Sequence, residues 1–300
     1  MKTTTALFCL TLALPAVAQV DPGFVWQGTP LAKPVGGEKF AASAFIHPLK
    51  TPSGFLLTDA QPIDHLHHFG IWWPWKFIEI DGKRYNTWEI HMGEGAHVAV
   101  STKEVSNDNG VVTWELHNQS IAKPKSGDPF VALHETTTIS SRLDGKDRII
   151  DFDIRQKPAD KPVTIVTYRY SGFTWRGPKT WNKDNSLMTT SAGKGRDDAN
   201  GTQARWVLVS GAATDGQASM LLLSQASKLG GNEEQVRVWD KNSHNGAPFV
   251  NFNPVMTKSL VLDATDSPVS HRKYRVIAAD REITPQEAEA LWKEWIASAP

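Results

Sequence analysis

The strongest constraint on the fold is a two-residue alternation that recurs along the chain and is cut by turn signals. Ile150, Phe152 and Ile154 alternate with Asp151, Asp153 and Arg155, which describes a strand with one face buried and the other in water. Similar runs lie at 111–116, 134–139, 162–170, 205–209, 219–223, 259–262 and 274–277. Gly- and Asn-containing turns at 107–110, 144–145, 211–216 and 230–232 separate them. Many short strands joined by polar turns predict an all-β chain, a large antiparallel β-sandwich of two sheets. One helix is expected at the C-terminus. Thr284, Pro285, Gln286 and Glu287 make a capping box with proline at the first helical position, and Ala288, Leu291, Trp292 and Trp295 follow on one helical face.

The N-terminus reads as a targeting segment. Lys2 precedes an apolar run from Ala6 to Val17 that ends in Ala16, Val17 and Ala18, a small-x-small exit. Residues 1–18 are therefore expected to be a cleaved signal peptide, with 19–300 a single sandwich domain and the protein periplasmic or secreted. The one cysteine, Cys9, falls inside that segment, so the mature chain has no disulfide or thiolate chemistry. The formal net charge is zero. No basic stripe points to nucleic acid, and no later run is long enough for membrane insertion by a helix. The sequence holds 12 tryptophans. Most serve core packing; in an exported protein some can also stack on sugar rings.

Chemistry concentrates in the histidines. Of 10, six lie between residues 47 and 97: His47, His65, His67, His68, His91 and His97. A lone histidine is usually a bonded core ring or a surface residue. A run of Asp64, His65, Leu66, His67 and His68 just before Trp72, Trp73 and Trp75 is better read as a site. On a strand His65 and His67 would share a face and His68 would oppose them; in a loop all three can converge. Glu89, His91 and Glu94 add a second segment. Imidazoles serve either acid–base chemistry or a divalent metal, here through His65, His67 and His68, though the spacing matches no standard zinc motif; copper also suits an exported histidine-rich chain. The identity of any cofactor stays open. His47, His65, His67, His68, Glu89, His91, Tyr168 and His244 are the catalytic candidates. Trp72, Trp73, Trp75 and Arg176 are the substrate-binding ones. His47, His65, His67 and His68 are expected to line one cleft walled by Trp72 or Trp73. His68→Ala is expected to abolish turnover with little change in melting temperature.

Ile46, His47, Pro48, Thr51, Pro52 and Gly54, followed by the Asp64–His68 run, Gly70, Trp72 and Trp73, resemble a bacterial family labelled methane oxygenase PmoA-like. Segments around Trp206 and Asn253 are also similar, and both residues join the substrate-binding set. Phe69 stands where that family often has arginine, which implies a different specificity. The resemblance implies a galactose-mutarotase-like super-sandwich and a carbohydrate setting. The combined expectation is an exported carbohydrate-active enzyme, lyase or hydrolase in type, working on a saccharide by His/carboxylate acid–base chemistry. The alternatives are a noncatalytic sugar-binding protein and a copper-dependent oxidoreductase, as the label implies.

Overall fold

The computed structural model describes residues 24–27, 43–225, 234–263 and 270–298. The expected signal segment and the 230–232 turn lie outside them. In chain order the strands are β1 Phe24–Gln27, β2 Phe45–Leu49, β3 Ile71–Trp72, β4 Phe77–Ile80, β5 Lys83–Asn86, β6 Gly95–Asp108, β7 Val111–Ala122, β8 Phe130–Asp144, β9 Asp147–Pro158, β10 Val163–Ile165, β11 Phe173–Arg176, β12 Ser186–Thr190, β13 Trp206–Ala213, β14 Gly216–Gln225, β15 Gln235–Val238, β16 Phe249–Asn253, β17 Leu260–Leu262 and β18 Ser270–Ala279. The helix α1 spans Pro285–Ser298. All described pairings are antiparallel.

The fold is the expected large antiparallel sandwich with a C-terminal helix, but three sheets build it rather than two. An eight-stranded sheet runs β12-β13-β14-β18-β9-β8-β7-β6. A six-stranded sheet, β1-β2-β3-β11-β16-β15, and a four-stranded one, β17-β10-β4-β5, share the opposite layer. Alternation makes the interfaces. Ile150, Phe152 and Ile154 of β9 meet Ile71, Phe173, Trp175, Val250 and Phe252 of the six-stranded sheet in one core. Ala132 and Leu133 of β8 meet Ile78, Val163 and Ile165 of the four-stranded sheet in a second. The alternating aspartates of β9 face the other way and pair with Arg142, Arg155, His271 and Arg275.

Helix α1 covers part of the outer face of the eight-stranded sheet. Ala288 and Trp295 pack on Leu208, Leu221, Leu223 and Ile277. The helix starts as its sequence dictates: Thr284 Oγ1 accepts from the Glu287 amide at 3.2 Å, satisfying one of the free donors of the first turn. Trp206 also lies on this face, 3% exposed, and its Nε1 donates to Glu289 at 2.9 Å. The substrate contact expected of Trp206 is corrected here, because helix α1 seals its indole.

The strand expected over 162–170 stops at Ile165. Thr167 is drawn off the ladder by Ser259, whose Oγ accepts from the Thr167 amide and shares a hydroxyl–hydroxyl hydrogen bond with Thr167 Oγ1, both 2.9 Å. The segment carrying Tyr168 and Tyr170 thereby becomes a bend over the outer face of the six-stranded sheet. No helix among the described residues is long and apolar enough to cross a membrane.

Candidate active site

The face of the six-stranded sheet turned away from the sandwich core carries its own aromatic layer. Phe45, Phe69, Trp72, Trp88, Trp239 and Phe249 form one buried cluster there. Period-two alternation decides which tryptophan goes where. Trp72 points to this face. Trp73 points to the inter-sheet core, fully buried, and its Nε1 donates to Glu135 at 2.7 Å. Trp75 is also fully buried and donates to Gln156 at 3.0 Å. The substrate-binding reading of Trp73 and Trp75 is corrected accordingly: neither offers a ring face to a ligand. Trp72 is 1% exposed, so it is floor rather than stacking platform.

Over this floor lies the histidine loop. Its ends are pinned to one residue of β11. The Asp59 amide donates to the Arg176 carbonyl (3.1 Å), the Arg176 amide donates to the Gly70 carbonyl (2.8 Å), and the Gly70 amide closes back on Asp59 (2.9 Å). Gly70 sits at φ 62°, and a Cβ there would lie 2.3 Å from the Ile46 carbonyl oxygen, so only glycine lets β2 and the loop approach this closely. Inside the loop the His65 amide bonds to Pro62 and the His68 amide to His65, both 2.9 Å. The run is therefore a pair of tight turns, not a strand, and the three histidines fan out over one region.

Two further segments complete the cluster. A 3₁₀ turn at Ile90–Met92 brings His91, and another at His244–Gly246 brings His244. The rings form a chain: His244 to His65 at 4.6 Å, His65 to His68 at 4.5 Å, His68 to His67 at 4.8 Å and His67 to His91 at 5.5 Å between centroids. Trp239 packs against His244 at 3.8 Å and against His65 at 4.9 Å.

Each end of the chain carries an ion pair. At one, Arg176 Nη2 donates to both oxygens of Asp64 at 3.2 Å while its guanidinium lies 4.7 Å above Trp239. His65 Nδ1 is 3.0 Å from Asp64 Oδ2. Burial resists ionisation of Asp64, but Arg176 and then His65 outweigh it and hold the carboxyl below its usual range. At the other end, Lys76 pairs with Glu89, which also accepts from Asn86 at 2.9 Å. Burial opposes the Glu89 charge too, and Lys76 and Asn86 keep its pKa low. Burial lowers His67 to about 4 against the pull of Glu89. His68 is depressed well below the ordinary imidazole value by burial and then by His67 and His65, and burial, then His65, also lowers His244.

The face retains unpaired polar atoms. His68 Nδ1, Trp72 Nε1 and Arg176 Nε and Nη1 are buried without hydrogen-bond partners. In a settled core such groups are almost always satisfied.

His65, His67, His68, His91, His244, Glu89 and Arg176 thus come together. His47 is not part of the ring chain: its Nδ1 is bonded to Thr58 Oγ1 at 2.9 Å. Asn253 is a structural cap, donating to the Tyr168 carbonyl (2.8 Å) and accepting from the Val255 amide (3.0 Å). Tyr168 stands at the Lys76 end, its ring 5.5 Å from the ammonium. His97 belongs to the sandwich core, paired with Glu135. Sequence reasoning passed over Lys76, Arg237 and Trp239, and placed Asp64 in the histidine run without making it a candidate. Asp64 opens the histidine run, which is a local signal. Trp239 and Arg237, both bonded to the Tyr170 hydroxyl at 3.2 and 3.1 Å, lie in a segment whose only marker is the histidine five residues after Trp239.

A family model matches residues 24–293, and its description is a family of unknown function, DUF6807. The chain belongs to DUF6807. That assignment overturns the resemblance to the PmoA-like family: the histidine and tryptophan run that suggested it is part of the DUF6807 match, and the copper oxidoreductase reading that leaned on the label loses its basis. Phe69, expected to mark altered specificity, is buried against Phe45 at 4.9 Å. No curated protein matches this DUF6807 chain. Among solved structures it is similar to a GH36 alpha-galactosidase from Geobacillus stearothermophilus, at 9% identity and TM-score 0.39, over 76% of this chain and 32% of that one. The chain thus spans about a third of the length of that enzyme. It is also similar to a galactose mutarotase-like protein from Lactobacillus casei ATCC 334, at 10% identity and TM-score 0.34, over 69% and 81% of the two chains.

Proposed function

We propose that this DUF6807 protein is an exported carbohydrate-active enzyme that performs proton transfer on a saccharide at the histidine face, in an elimination of the lyase type. The observation that carries the reading is the convergence of His65, His67, His68, His91 and His244 from three separate segments onto one partly exposed face. A polyhydroxylated ligand suits such a surface, because a neutral imidazole both donates and accepts a hydrogen bond. Elimination fits better than hydrolysis. Glycoside hydrolysis uses a carboxyl held protonated as the general acid, whereas Asp64 and Glu89 are each paired with a cation.

In the proposed reaction a base removes a proton from a sugar carbon beside a carbonyl or carboxylate. The electron pair becomes a carbon–carbon double bond, and the neighbouring glycosidic oxygen leaves with a proton from an acid. His67 and His91, next to Glu89, supply the proton-transfer end. The Asp64 and Arg176 end holds the substrate oxygens. Incubation with neutral and uronate-containing polysaccharides, followed by ultraviolet absorbance for the new double bond and by reducing-end assay, tests this. Double-bond product is expected from a uronate-containing polymer. Binding without product would instead make the protein a noncatalytic sugar-binding module, and neither binding nor product on any saccharide would remove the reading altogether.

A further inference from the structure

Donor atoms of Asp64, His65 and His244 all lie within 4.8 Å of one another. We propose that these three side chains hold one divalent first-row transition ion of the zinc class. The site shares Asp64, His65 and His244 with the face proposed to bind saccharide, but the argument for an ion rests on their donor geometry alone.

The spacing suits shared ligation. Asp64 Oδ2 is 3.0 Å from His65 Nδ1 and 3.9 Å from His244 Nδ1. Two ligand atoms each ~2.0–2.2 Å from one zinc ion stand roughly 3–4 Å apart. The Asp64–His65 contact is short but is not an aligned hydrogen bond: His65 Nδ1 is buried and has no hydrogen-bond partner of proper geometry. The two imidazoles meet edge to face, with planes at 78°, so their nitrogens can converge without the rings stacking. Two imidazoles and one carboxylate are a donor set that suits zinc and its first-row neighbours, and three protein ligands leave a coordination position open. Here the opening is toward solvent, since Asp64 and His244 are both exposed.

The surroundings orient the donors. Trp239 packs on His244, and His68 stacks on His65 from behind. Arg176 is the apparent obstacle, but a carboxylate offers about four lone-pair positions. A single Arg176 nitrogen reaches the two oxygens, which leaves Oδ2 able to bind an ion. Carboxylate ligands are commonly held by an outer hydrogen bond of this kind. Asp59 also lies in the field of Arg176 and offsets part of its charge. The set differs from the His65, His67 and His68 triplet that the sequence suggests: the donor atoms that converge are those of Asp64, His65 and His244, without His67, and His68 lies beneath the surface.

The test uses the full chain, stripped with a chelator and titrated with Zn²⁺ by calorimetry and with Co²⁺ by visible absorption. One ion per chain with a Co²⁺ ligand-field band is expected. Asp64→Asn and His244→Ala, both exposed positions, should each weaken binding by about tenfold or more. His271→Ala, at a surface pair with Asp153, should leave binding unchanged. Circular dichroism of each variant checks that it is folded. Absence of a stoichiometric site would overturn the proposal, as would folded Asp64→Asn and His244→Ala proteins that bind like the wild type. No saccharide enters the titration, so its failure is separable from failure of the lyase reading.

Discussion

Two regions of this molecule are made from the same residue types and are built to opposite ends. Inside the sandwich, Glu135 accepts hydrogen bonds from Trp73, Asn118 and Thr137 on one oxygen and from His97 and Gln156 on the other. Gln156 in turn accepts from Trp75 and Arg272. On the outer face Asp64, Trp239, Arg176 and the five histidines repeat the carboxylate, tryptophan and imidazole theme. There the histidines touch one another, all but the buried His68 reach solvent, and His68, Trp72 and Arg176 keep unpaired polar atoms. Desolvated polar groups cost free energy unless paired, so the inner carboxylate is surrounded by donors. Unpaired atoms occur in the interior too, at His97 Nδ1, Asn118 Oδ1 and Arg272 Nε and Nη1; what sets the outer face apart is its access to solvent, since Asp64 and His244 are both exposed.

The difference gives the substitutions distinct signatures. The largest expected effect is on activity: His67→Ala should lower kcat/KM on the order of 10²–10⁴-fold without unfolding the protein, because the residue lies at the surface edge of the aromatic layer, only partly buried. Steady-state kinetics on the active polysaccharide checks it, and an unchanged rate would separate the outer face from the chemistry. Next is Glu135→Ala, expected to cost about 3–5 kcal/mol of stability, since it strands His97 and the donors around a lost buried charge. Chemical denaturation measures this; a loss below ~1 kcal/mol would show that the inner network is not structural.

His68→Ala should do some of each. The sequence suggested a variant with an unchanged melting temperature, but His68 is 2% exposed between His65, Trp72 and Phe249. Its removal opens a cavity at a cost of roughly 2 kcal/mol, so the melting temperature should fall as activity does.

Acid should also act on the inner region. Burial opposes the Glu135 charge, but His97 and the neutral donors lower its pKa to about 2 from the ordinary glutamate value of 4.5. A depressed carboxylate pKa contributes stability that is fully present above the unfolded value and is lost as pH falls through the folded one. Stability should therefore decline between about 4.5 and about 2, and Glu135→Gln should flatten that part of the curve. The smallest effect belongs to the helix cap: Thr284→Ala should cost ~1 kcal/mol and leave kcat/KM unaltered.

The alternation in β9, β8 and β7 was legible because one face of the eight-stranded sheet is wet and the other dry. The third sheet was not, because β4, β10 and β17 are three or four residues long and come together from far apart in sequence. The histidine density at 65–68 and the turn histidine His244 pointed to the outer face. Their convergence depends on backbone bonds from Arg176 to the loop ends, which no local pattern announces. Trp73 and Trp75 were misplaced even though a signal existed: a strand sends neighbouring residues to opposite faces, so Trp72 and Trp73 cannot both wall one cleft.

The central claim is that the histidine face is where a saccharide is bound and changed. A crystal structure of the protein soaked with the polysaccharide fragment it degrades tests that claim most directly. The account predicts sugar oxygens within hydrogen-bond distance of His65, His67 or His244, above the layer of Trp72, Trp239 and Phe249. Sugar seated instead in the 770 Å³ groove lined by Leu208, Ser210, Gln217 and Glu282, with the histidines untouched, would contradict it.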